Sequence, residues 1–369
     1  MRTSVALNGR FSRAQHPTGT QIASFHLFDA ILRKPREIDM TVFVDPDYPG
    51  VSSWADIPRT ALVPVPFRRW SRVRCQLWEQ TCFSGAARKA GCGLAHHPMN
   101  TSPACSDGLK TIVTLHDLNF FLHPEWYRRV FCWSYRWLAL PGLRRADRVV
   151  VISHYVRDQA EKVLRIAANR LRVIPNGLVP LPPTNPYRSA VPFIFCVGSY
   201  QPHKNLVRLI DAHRQLRKQF GDLELWIAGL PEKRFRVDEA LEHRLRFPGV
   251  RRLGFLTPEE LSAHYQGAEL FCYPSIEEGF GLPILEAMSL GTPVVTSNTS
   301  CLPETAGDAA LLVDPRSVES LTQGMDKVLR MLPPEREALR QKGRDRAQLF
   351  AWGVAALEYL RLYHEVLSE

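Results

Sequence analysis

Short apolar runs rich in β-branched residues alternate with longer segments of helical period along most of this 369-residue chain. Such alternation is typical of parallel sheets, in which a crossover helix joins each strand to the next. The predicted strands of the first half are SVALNG, DMTVFVD, TIVTLHD, RVVVIS and LRVIPNG. Those of the second half are FIFCVGSY, LELWIAG, VRRLGF, AELFCYPS, TPVVTSN and AALLVD. We therefore predict an α/β fold with two open, Rossmann-like sheets.

A proline-rich stretch, GLVPLPPTNPYRSAVP (177–192), separates the two groups of strands. The chain is long enough for two domains, because single cores stop growing beyond about 250–300 residues. We predict domains at 1–186 and 187–349. The last stretch, FAWGVAALEYLRLYHEVL (350–367), repeats apolar residues at three- and four-residue spacing and is predicted to be an amphipathic helix.

The net charge of +10 is concentrated in the first half, which carries a balance of +12, against −2 after residue 186. Basic and aromatic residues alternate in FRRWSRVR (67–74) and YRRVFCWSYRW (127–137). This composition suits an anionic bilayer or phosphate groups, and a solvated basic face over core aromatics is the alternative. No nucleic-acid motif accompanies the charge, so we expect no nucleic-acid partner.

The eight cysteines are scattered and form no Cys-x-x-Cys pair, so neither a zinc site nor a disulfide framework is indicated. No signal-like leader and no uninterrupted apolar run of about 18 residues is present. We expect a cytoplasmic protein with reduced thiols.

The segment IEEGFGLPILEAM (276–288) places Glu278 and Glu286 on either side of a Gly-Phe-Gly turn. A helix is predicted to begin near Leu282, because Pro283 suits a first helical position. Unpaired amides at a helix N-terminus attract anions, and carboxylates accept hydrogen bonds from sugar hydroxyls. Together these features indicate a nucleotide-sugar site.

The longer segment PSIEEGFGLPILEAMSLGTPVVTSNTSCLPETAGDAALLVDP (274–315) closely resembles the donor-binding segment of family 4 glycosyltransferases, which have the two-domain GT-B fold. The resemblance implies that Glu278 meets hydroxyls of the transferred sugar and that Glu286 meets the ribose. It also implies that the backbone from Gly279 through Phe280 and Gly281 to Leu282 meets the sugar and the diphosphate.

Four further segments resemble parts of the same family. VGSYQPHKNL (197–206) resembles its second phosphate-binding segment, which implies that Lys204 pairs with the diphosphate. Ser199 and His203 of this segment stand at positions where the family often has other residues. TLHDLNFF (114–121) resembles the segment whose histidine, here His116, approaches the sugar. NGRFSRAQHPTGTQIASFHL (8–27) resembles the loop over the diphosphate, with Gly19 and Thr20 at its junction with a helix. The final helix (350–369) resembles one that packs back toward the first domain.

The resemblance implies a retaining hexosyltransferase, with His116, Lys204 and Glu278 as catalytic residues. Mannose from a guanosine diphosphate donor is the first expectation, and a glucose-type sugar from a uridine donor is the second. The acceptor is expected to be a polysaccharide or lipid-linked saccharide, for example on a polyprenyl diphosphate, in surface-polysaccharide or lipopolysaccharide assembly at the inner face of a membrane. The alternatives are a nucleotide-sugar-binding protein without catalysis and a sugar-nucleotide epimerase.

No cofactor and no metal are expected. Asp45 and Asp47 could suggest a metal-binding Asp-x-Asp pair, but Pro46 between them favours a turn after a strand. His96 and His97 have no further ligand at useful spacing and are interpreted as loop residues.

Overall fold

The protein is described here from a computed structural model, for residues 4–14, 18–105, 108–127, 129–230 and 239–369. The chain divides into two compact units. Unit 1 comprises Met1–Leu118, Cys132–Gly177 and Ala351–Glu369, and unit 2 comprises Asn119–Phe131 and Leu178–Phe350. Each unit contains one parallel sheet with helices, which confirms the predicted α/β fold.

The sheet of unit 1 has seven parallel strands in the order β3-β2-β1-β4-β5-β6-β7. The strands are β1 Ser4–Gly9, β2 Asp39–Val44, β3 Thr60–Pro64, β4 Leu94–His97, β5 Lys110–Leu115, β6 Arg148–Val151 and β7 Leu171–Val173. Its helices are α1 Gly19–Arg33, α2 Arg72–Thr81, α3 Phe83–Lys89, α6 His154–Leu164 and α14 Trp352–Ser368, together with α5 Arg129–Arg145 from Cys132 onward. The short helix α4, Asn119–Leu122, belongs to unit 2. The order of strands reverses between β1 and β4, which makes that edge the switch point of the sheet.

The predicted C-terminal helix is α14, and it packs against the sheet of unit 1. Its apolar face shares a buried core with α1 and with β1, β2 and β4. The Tyr363 hydroxyl lies 2.6 Å from His96 Nδ1, and the Tyr359 hydroxyl lies 2.8 Å from Thr114 Oγ1. The backbone carbonyl of Val366 accepts a hydrogen bond from Lys110 Nζ at 2.7 Å. The end of the chain is thus tied to β4 and β5 by polar as well as apolar contacts.

The interpretation of His96 and His97 as loop residues is wrong, because both lie in the buried strand β4. His96 is tolerated in the core since both ring nitrogens have neighbours, Tyr363 at Nδ1 and Thr114 Oγ1 at 2.8 Å from Nε2. The strand escaped prediction because its apolar run is only two residues long before the histidines. Strand β3 was also missed.

The sheet of unit 2 has six parallel strands in the order β10-β9-β8-β11-β12-β13. The strands are β8 Phe193–Val197, β9 Glu224–Ala228, β10 Val250–Gly254, β11 Leu270–Tyr273, β12 Val294–Ser297 and β13 Leu311–Val313. The remaining helices are α7 Leu206–Phe220, α8 Glu239–Arg244, α9 Pro258–Gly267, α10 Leu282–Ser289, α11 Leu302–Ala306, α12 Val318–Leu329 and α13 Pro333–Gln348. All six strands predicted for the second half are present.

The second segment of unit 2, Leu178–Phe350, begins before the predicted boundary of 186/187, because the proline-rich stretch packs on this unit. The backbone N–H of Tyr187 donates to Ala263 O at 2.9 Å, and its ring stacks on His264 at 4.6 Å. Gln266 Nε2 donates to Thr184 Oγ1 at 3.2 Å. The stretch is therefore a structured part of unit 2.

Asp45 and Asp47 form a turn after β2, as predicted. The buried carboxylate of Asp45 accepts hydrogen bonds from the backbone N–H groups of Asp47, at 3.1 Å, and of Arg68, at 2.6 Å. Both oxygens of Asp45 are thus occupied by backbone donors. Among the helices of the described ranges, none is long and apolar enough to cross a membrane.

Candidate active site

Lys204 lies at the carboxyl edge of the unit 2 sheet, in a loop that begins at the end of β8. The loop closes with a 3-10 turn, Pro202–Lys204, and with Asn205 in a left-handed conformation (φ 58°). The buried amide of Asn205 donates hydrogen bonds to the carbonyls of Pro274, at 3.1 Å, and Pro315, at 2.6 Å. These bonds fix the lysine loop against the loops that follow β11 and β13.

The ammonium of Lys204 forms a compact cluster with the carboxylate of Glu278 and the hydroxyl of Tyr273. Lys204 Nζ lies 2.6 Å from Glu278 Oε1 and 2.6 Å from the Tyr273 hydroxyl, which itself donates to Glu278 Oε1 at 2.8 Å. The side chains of Lys204 and Glu278 are only 14% and 13% exposed. Since a lysine ammonium has three donors, one N–H of Lys204 remains for a ligand.

The cluster keeps Glu278 ionised. Burial alone would raise the pKa of this carboxyl, but the charges of Lys204 and His203 and the lysine hydrogen bond outweigh burial and lower the pKa. An ionised Glu278 can only accept hydrogen bonds, so it is suited to neighbouring hydroxyl groups.

The helix α10 begins beside this cluster, as the sequence predicted, at Leu282 with Pro283 in its first turn. Its N-cap is Gly281 (φ 93°), and the first turn closes with a hydrogen bond from Ile284 N to Gly281 O at 3.1 Å. Thr305 Oγ1 holds the loop from the other side by donating to Phe280 O at 2.6 Å. A helix start of this kind offers backbone N–H groups and a partial positive charge to an anion.

Glu286 projects from the same helix and meets Tyr265. The Tyr265 hydroxyl donates to Glu286 Oε2 at 2.9 Å. Burial raises the pKa of Glu286, and the hydrogen bond from Tyr265 opposes that rise only in part. Tyr265 occupies one carboxyl oxygen, so the other can meet a hydroxyl pair such as that of a ribose.

One lysine donor, a helix N-terminus and two carboxyl groups therefore surround one edge of the unit 2 sheet. This set can neutralise an anion and bind vicinal hydroxyls, which are the two kinds of group in a nucleotide sugar. Within the described ranges, no three His, Cys, Asp or Glu side chains cluster as a metal ion would require.

Comparison with known families agrees with this chemistry. The family model described as Glycosyl transferases group 1 matches residues 184–346, and the model described as Glycosyltransferase Family 4 matches residues 32–180. The chain belongs to glycosyltransferase family 4. It is accordingly a glycosyltransferase with the GT-B fold.

Curated relatives of this glycosyltransferase include two mannosyltransferases. The O-antigen chain mannosyltransferase B of Escherichia coli is 29% identical over 69% of this chain and 70% of its own. The MMP alpha-(1->4)-mannosyltransferase of Mycolicibacterium hassiacum is 29% identical over 63% of this chain and 61% of its own. Among solved structures, sucrose-phosphate synthase from Thermosynechococcus elongatus superposes with a TM-score of 0.75, at 21% identity over 99% of both chains.

In unit 1 of the transferase, His116 follows β5 and is buried. Its Nε2 lies 2.8 Å from the carbonyl of Pro98, and its backbone N–H donates to Asn100 Oδ1 at 2.7 Å. A carbonyl can only accept, so the proton lies on Nε2 and Nδ1 is an acceptor. Burial lowers the pKa of His116 to about 4, and the imidazole is neutral at physiological pH.

Gly19 and Thr20 open α1 in unit 1, at the predicted loop-to-helix junction. Thr18 caps this helix by a capping box with Gln21. Residues 15–17, which belong to the segment predicted to form a loop over the diphosphate, lie outside the described residues. Gly19, Thr20 and His116 therefore belong to unit 1, while the other predicted site residues of the transferase belong to unit 2.

Ser199 and His203 share the lysine loop. Ser199 is half-buried just beyond β8, whereas His203 is buried and its carbonyl accepts a hydrogen bond from Ile276 N at 2.8 Å. The His203 ring stacks 5.5 Å from Trp126, which stacks 3.9 Å from His123. An aromatic column thus backs the lysine loop of the transferase.

Three residues of the transferase site escaped the sequence argument, namely Tyr265, Tyr273 and Asn205. Both tyrosines lie in apolar segments, so the sequence predicts them only as core residues. Their hydrogen bonds to Glu278 and Glu286 are seen only in the folded structure. The sequence only weakly indicated a role for Asn205. Asparagine tolerates the left-handed backbone conformation that is often found next to helix ends.

We expect Gly281→Ala to lower the free energy of unfolding by about 1–2 kcal/mol through its left-handed backbone alone. The added Cβ would also lie 2.7 Å from Leu302 Cδ2, so the loop must shift away from the start of α10. Urea unfolding measures the first effect, and nucleotide binding measures the second. Gly254→Ala is the matched control, since Gly254 has φ 73° and no atom within 4 Å of an added Cβ. Equal losses in both variants would contradict the packing argument.

Proposed function

We propose that this glycosyltransferase transfers a hexose, with mannose first and a glucose-type sugar second, from a nucleoside diphosphate donor to a saccharide acceptor. We further propose that the configuration at C1 of the sugar is retained and that no metal or other cofactor takes part. The observation that carries the proposal is the cluster of Lys204, Glu278 and Tyr273 beside the N-terminus of α10.

Negative charge develops on the diphosphate as its bond to the sugar breaks. A preorganised ammonium and helix amides at that position stabilise the leaving group without reorganising at the moment of reaction. In the free protein the ammonium of Lys204 already faces Glu278, so the pair is held in place before the donor arrives. The donor phosphate takes the remaining N–H of Lys204.

In the proposed step, the C1–O bond to the diphosphate breaks and a bond from C1 to the acceptor oxygen forms on the same face. The acceptor hydroxyl proton passes to the departing diphosphate oxygen, so atoms and charge balance without an enzyme nucleophile. Neutral His116 accepts a hydrogen bond from a sugar hydroxyl through Nδ1. Glu278 accepts hydrogen bonds from other sugar hydroxyls, and Glu286 accepts them from the ribose.

The choice of mannose rests on the two curated relatives, both named mannosyltransferases. A guanosine diphosphate donor is the corresponding first choice, with a uridine donor second. For the acceptor we propose a lipid-linked saccharide used in surface-polysaccharide assembly, with the enzyme peripheral on the inner face of the membrane.

A thermal-shift screen against GDP, UDP, dTDP and ADP and their sugar conjugates tests the donor site. A ligand at a hundred times its dissociation constant adds about 2.7 kcal/mol of stability. We expect a guanosine or uridine diphosphate sugar to stabilise the wild type. We expect Glu286→Ala to lose most of that shift, because the ribose then lacks its acceptor.

The matched control is Glu259→Ala, an exposed glutamate of α9 in the same unit, which should keep the full shift. The proposal fails if no nucleotide stabilises the wild type, or if Glu286→Ala responds like the control. For a stabilising donor, nuclear magnetic resonance of the product assigns the anomeric configuration. A free or rearranged sugar formed without an acceptor would identify an epimerase instead.

A further inference from the structure

A short segment from the first half of the chain belongs to unit 2. Leu118 and Cys132 lie in unit 1, whereas Asn119–Phe131 between them clusters with unit 2. We call residues 119–127 the arm; it contains α4 and the 3-10 turn Pro124–Trp126. The chain therefore leaves unit 1 after β5 and returns to it within α5.

One contact of the arm is with the lysine loop. The half-buried ring of Trp126 stacks on the ring of His203, with 5.5 Å between the centroids and 30° between the planes. His203 is 4% exposed and directly precedes Lys204 in the 3-10 turn of that loop. Stacked aromatic rings hold each other at a defined distance and angle. Trp126 therefore packs against the turn that carries the lysine.

A second contact is with the loop that carries Glu278. The ring of His123 stacks on Trp126 at 3.9 Å, and its Nε2 lies 3.9 Å from Oε2 of Glu277. Glu277 is the residue before Glu278, and its side chain is only 10% exposed. The other ring nitrogen of His123, Nδ1, lies 3.0 Å from Glu125 Oε1 within the arm itself. One end of the aromatic column is thus on the lysine loop and the other is on the Glu278 loop.

These two loops come from different strands and must meet for the candidate site to form. The lysine loop follows β8, and the Glu278 loop follows β11. They are joined by a backbone hydrogen bond from Ile276 N to His203 O at 2.8 Å. A lysine ammonium is carried on a flexible four-carbon stem, so its position depends on how firmly its loop is held. The arm contacts each loop at the residue next to a member of the Lys204–Glu278 pair.

We propose that the arm is a positioning element of the donor site. Trp126 and His123 act through the two loops, which they hold at the separation at which Lys204 and Glu278 meet the donor. Because seating of the arm and binding of the diphosphate favour the same arrangement of the loops, each should stabilise the other, as linkage requires. The inference rests on the proposed function for the identity of the ligand, a nucleoside diphosphate.

Nucleotide binding and hydrogen exchange of the full chain test the inference. The probe is the free nucleoside diphosphate, GDP or UDP, that stabilises the wild type. We expect this nucleotide to slow the exchange of amides in residues 119–127. Trp126→Ala should lose this slowed exchange and should raise the dissociation constant of the nucleotide by about fivefold or more, which is the usual range of coupling between sites.

Two further variants separate positioning from folding. Trp126→Phe keeps a ring that can stack on His203 and should recover most of the affinity. Phe247→Ala is the matched control, because it removes a half-buried ring of the same unit that lies 5.2 Å from His243. Phe247 precedes β10, at the edge of the sheet opposite to the site. This control should lower the melting temperature and leave the dissociation constant unchanged.

Steady-state kinetics give a readout that a purely structural role would not move. With the stabilising donor, Trp126→Ala should raise KM about as much as it raises the dissociation constant. It should keep kcat near the wild-type value, since saturating donor seats the arm again. A fall in kcat at unchanged KM would place Trp126 in the chemical step and overturn the inference.

The binding experiments overturn the inference in four ways: Trp126→Ala binds the nucleotide like the wild type, Phe247→Ala loses as much affinity, Trp126→Phe recovers none, or the nucleotide binds without slowing exchange in the arm. Each of these results leaves the proposed donor site intact. If no nucleotide binds the wild type, the proposed function fails and the inference fails with it.

Discussion

Lys204→Ala is expected to lower kcat by about 10²- to 10³-fold, the usual loss when one preorganised electrostatic group is removed from a transition state. The lysine is the cation that we place on the departing diphosphate, and its ammonium is held by Tyr273 and Glu278 at 2.6 Å each. The measurement is the rate of nucleoside diphosphate release from the stabilising donor in the presence of acceptor-containing membranes.

Two further variants separate the loss of catalysis from a loss of folding. Lys218→Ala removes an exposed lysine from α7 and should leave the rate unchanged. Lys204→Ala/Glu278→Gln removes both charges, so it should recover stability lost to the unpaired Glu278 carboxylate without recovering the rate. A double variant that regained activity would show that Lys204 only compensates Glu278, and our assignment would be wrong.

Lys204 is already paired with Glu278 and Tyr273 in the free protein. Burial would raise the pKa of Glu278, but nearby positive charge, chiefly that of Lys204, lowers it and keeps the carboxylate ionised in the free protein. A diphosphate arriving beside this pair meets one free N–H and an ammonium whose charge is already shared. We therefore propose that much of the attraction for the diphosphate comes from the helix amides at Phe280 to Leu282, so the geometry of Gly281 should matter for donor binding.

Most of the fold was readable because parallel strands buried on both faces form nearly continuous apolar runs. All eleven strands predicted from such runs are present. The two missed strands lack that pattern, since β3 is largely half-exposed and β4 ends in two histidines. His96 is accommodated in the core by hydroxyls of Thr114 and Tyr363, the latter from the far end of the chain, and His97 lies 3.0 Å from Asn8 Nδ2.

The sequence predicted the backbone of the site better than its hydrogen bonds. A helix start is predicted from neighbouring residues alone at Gly281, Leu282 and Pro283, and α10 begins there. The pairing of Lys204 with Glu278 joins residues 74 positions apart, and the pairing of Tyr265 with Glu286 joins residues 21 apart. Long-range pairs depend on which loops meet at the sheet edge, and no local pattern records that.

Glu79→Gln is expected to lower the free energy of unfolding by about 3–5 kcal/mol, because it removes one partner of a buried ion pair. Glu79 Oε2 accepts a hydrogen bond from Thr101 Oγ1 at 2.7 Å and lies 3.4 Å from Arg10 Nη2, while Oε1 accepts one from Asn8 Nδ2 at 2.7 Å. The cluster lies at the switch point between β1 and β4. Urea unfolding measures the change.

The effect should depend on pH in a defined direction. Burial alone would raise the pKa of Glu79, but the charge of Arg10 and the hydrogen bonds from His97 and Thr101 outweigh burial and leave the pKa lowered. The stability from ionised Glu79 is therefore complete above the ordinary glutamate pKa of about 4.3 and is lost as the pH falls through the lowered value. The difference between wild type and Glu79→Gln should be full at neutral pH and shrink below about pH 4.

The matched control for this prediction is Glu161→Gln, an exposed glutamate of α6 in the same unit, which should change stability by less than about 0.5 kcal/mol at any pH. Arg10→Met/Glu79→Gln should lose less than the sum of its single variants, because no charge is then left buried alone. Additive losses, or a Glu79→Gln effect that persists unchanged into acid, would show that the carboxylate is held by packing and that its charge contributes nothing.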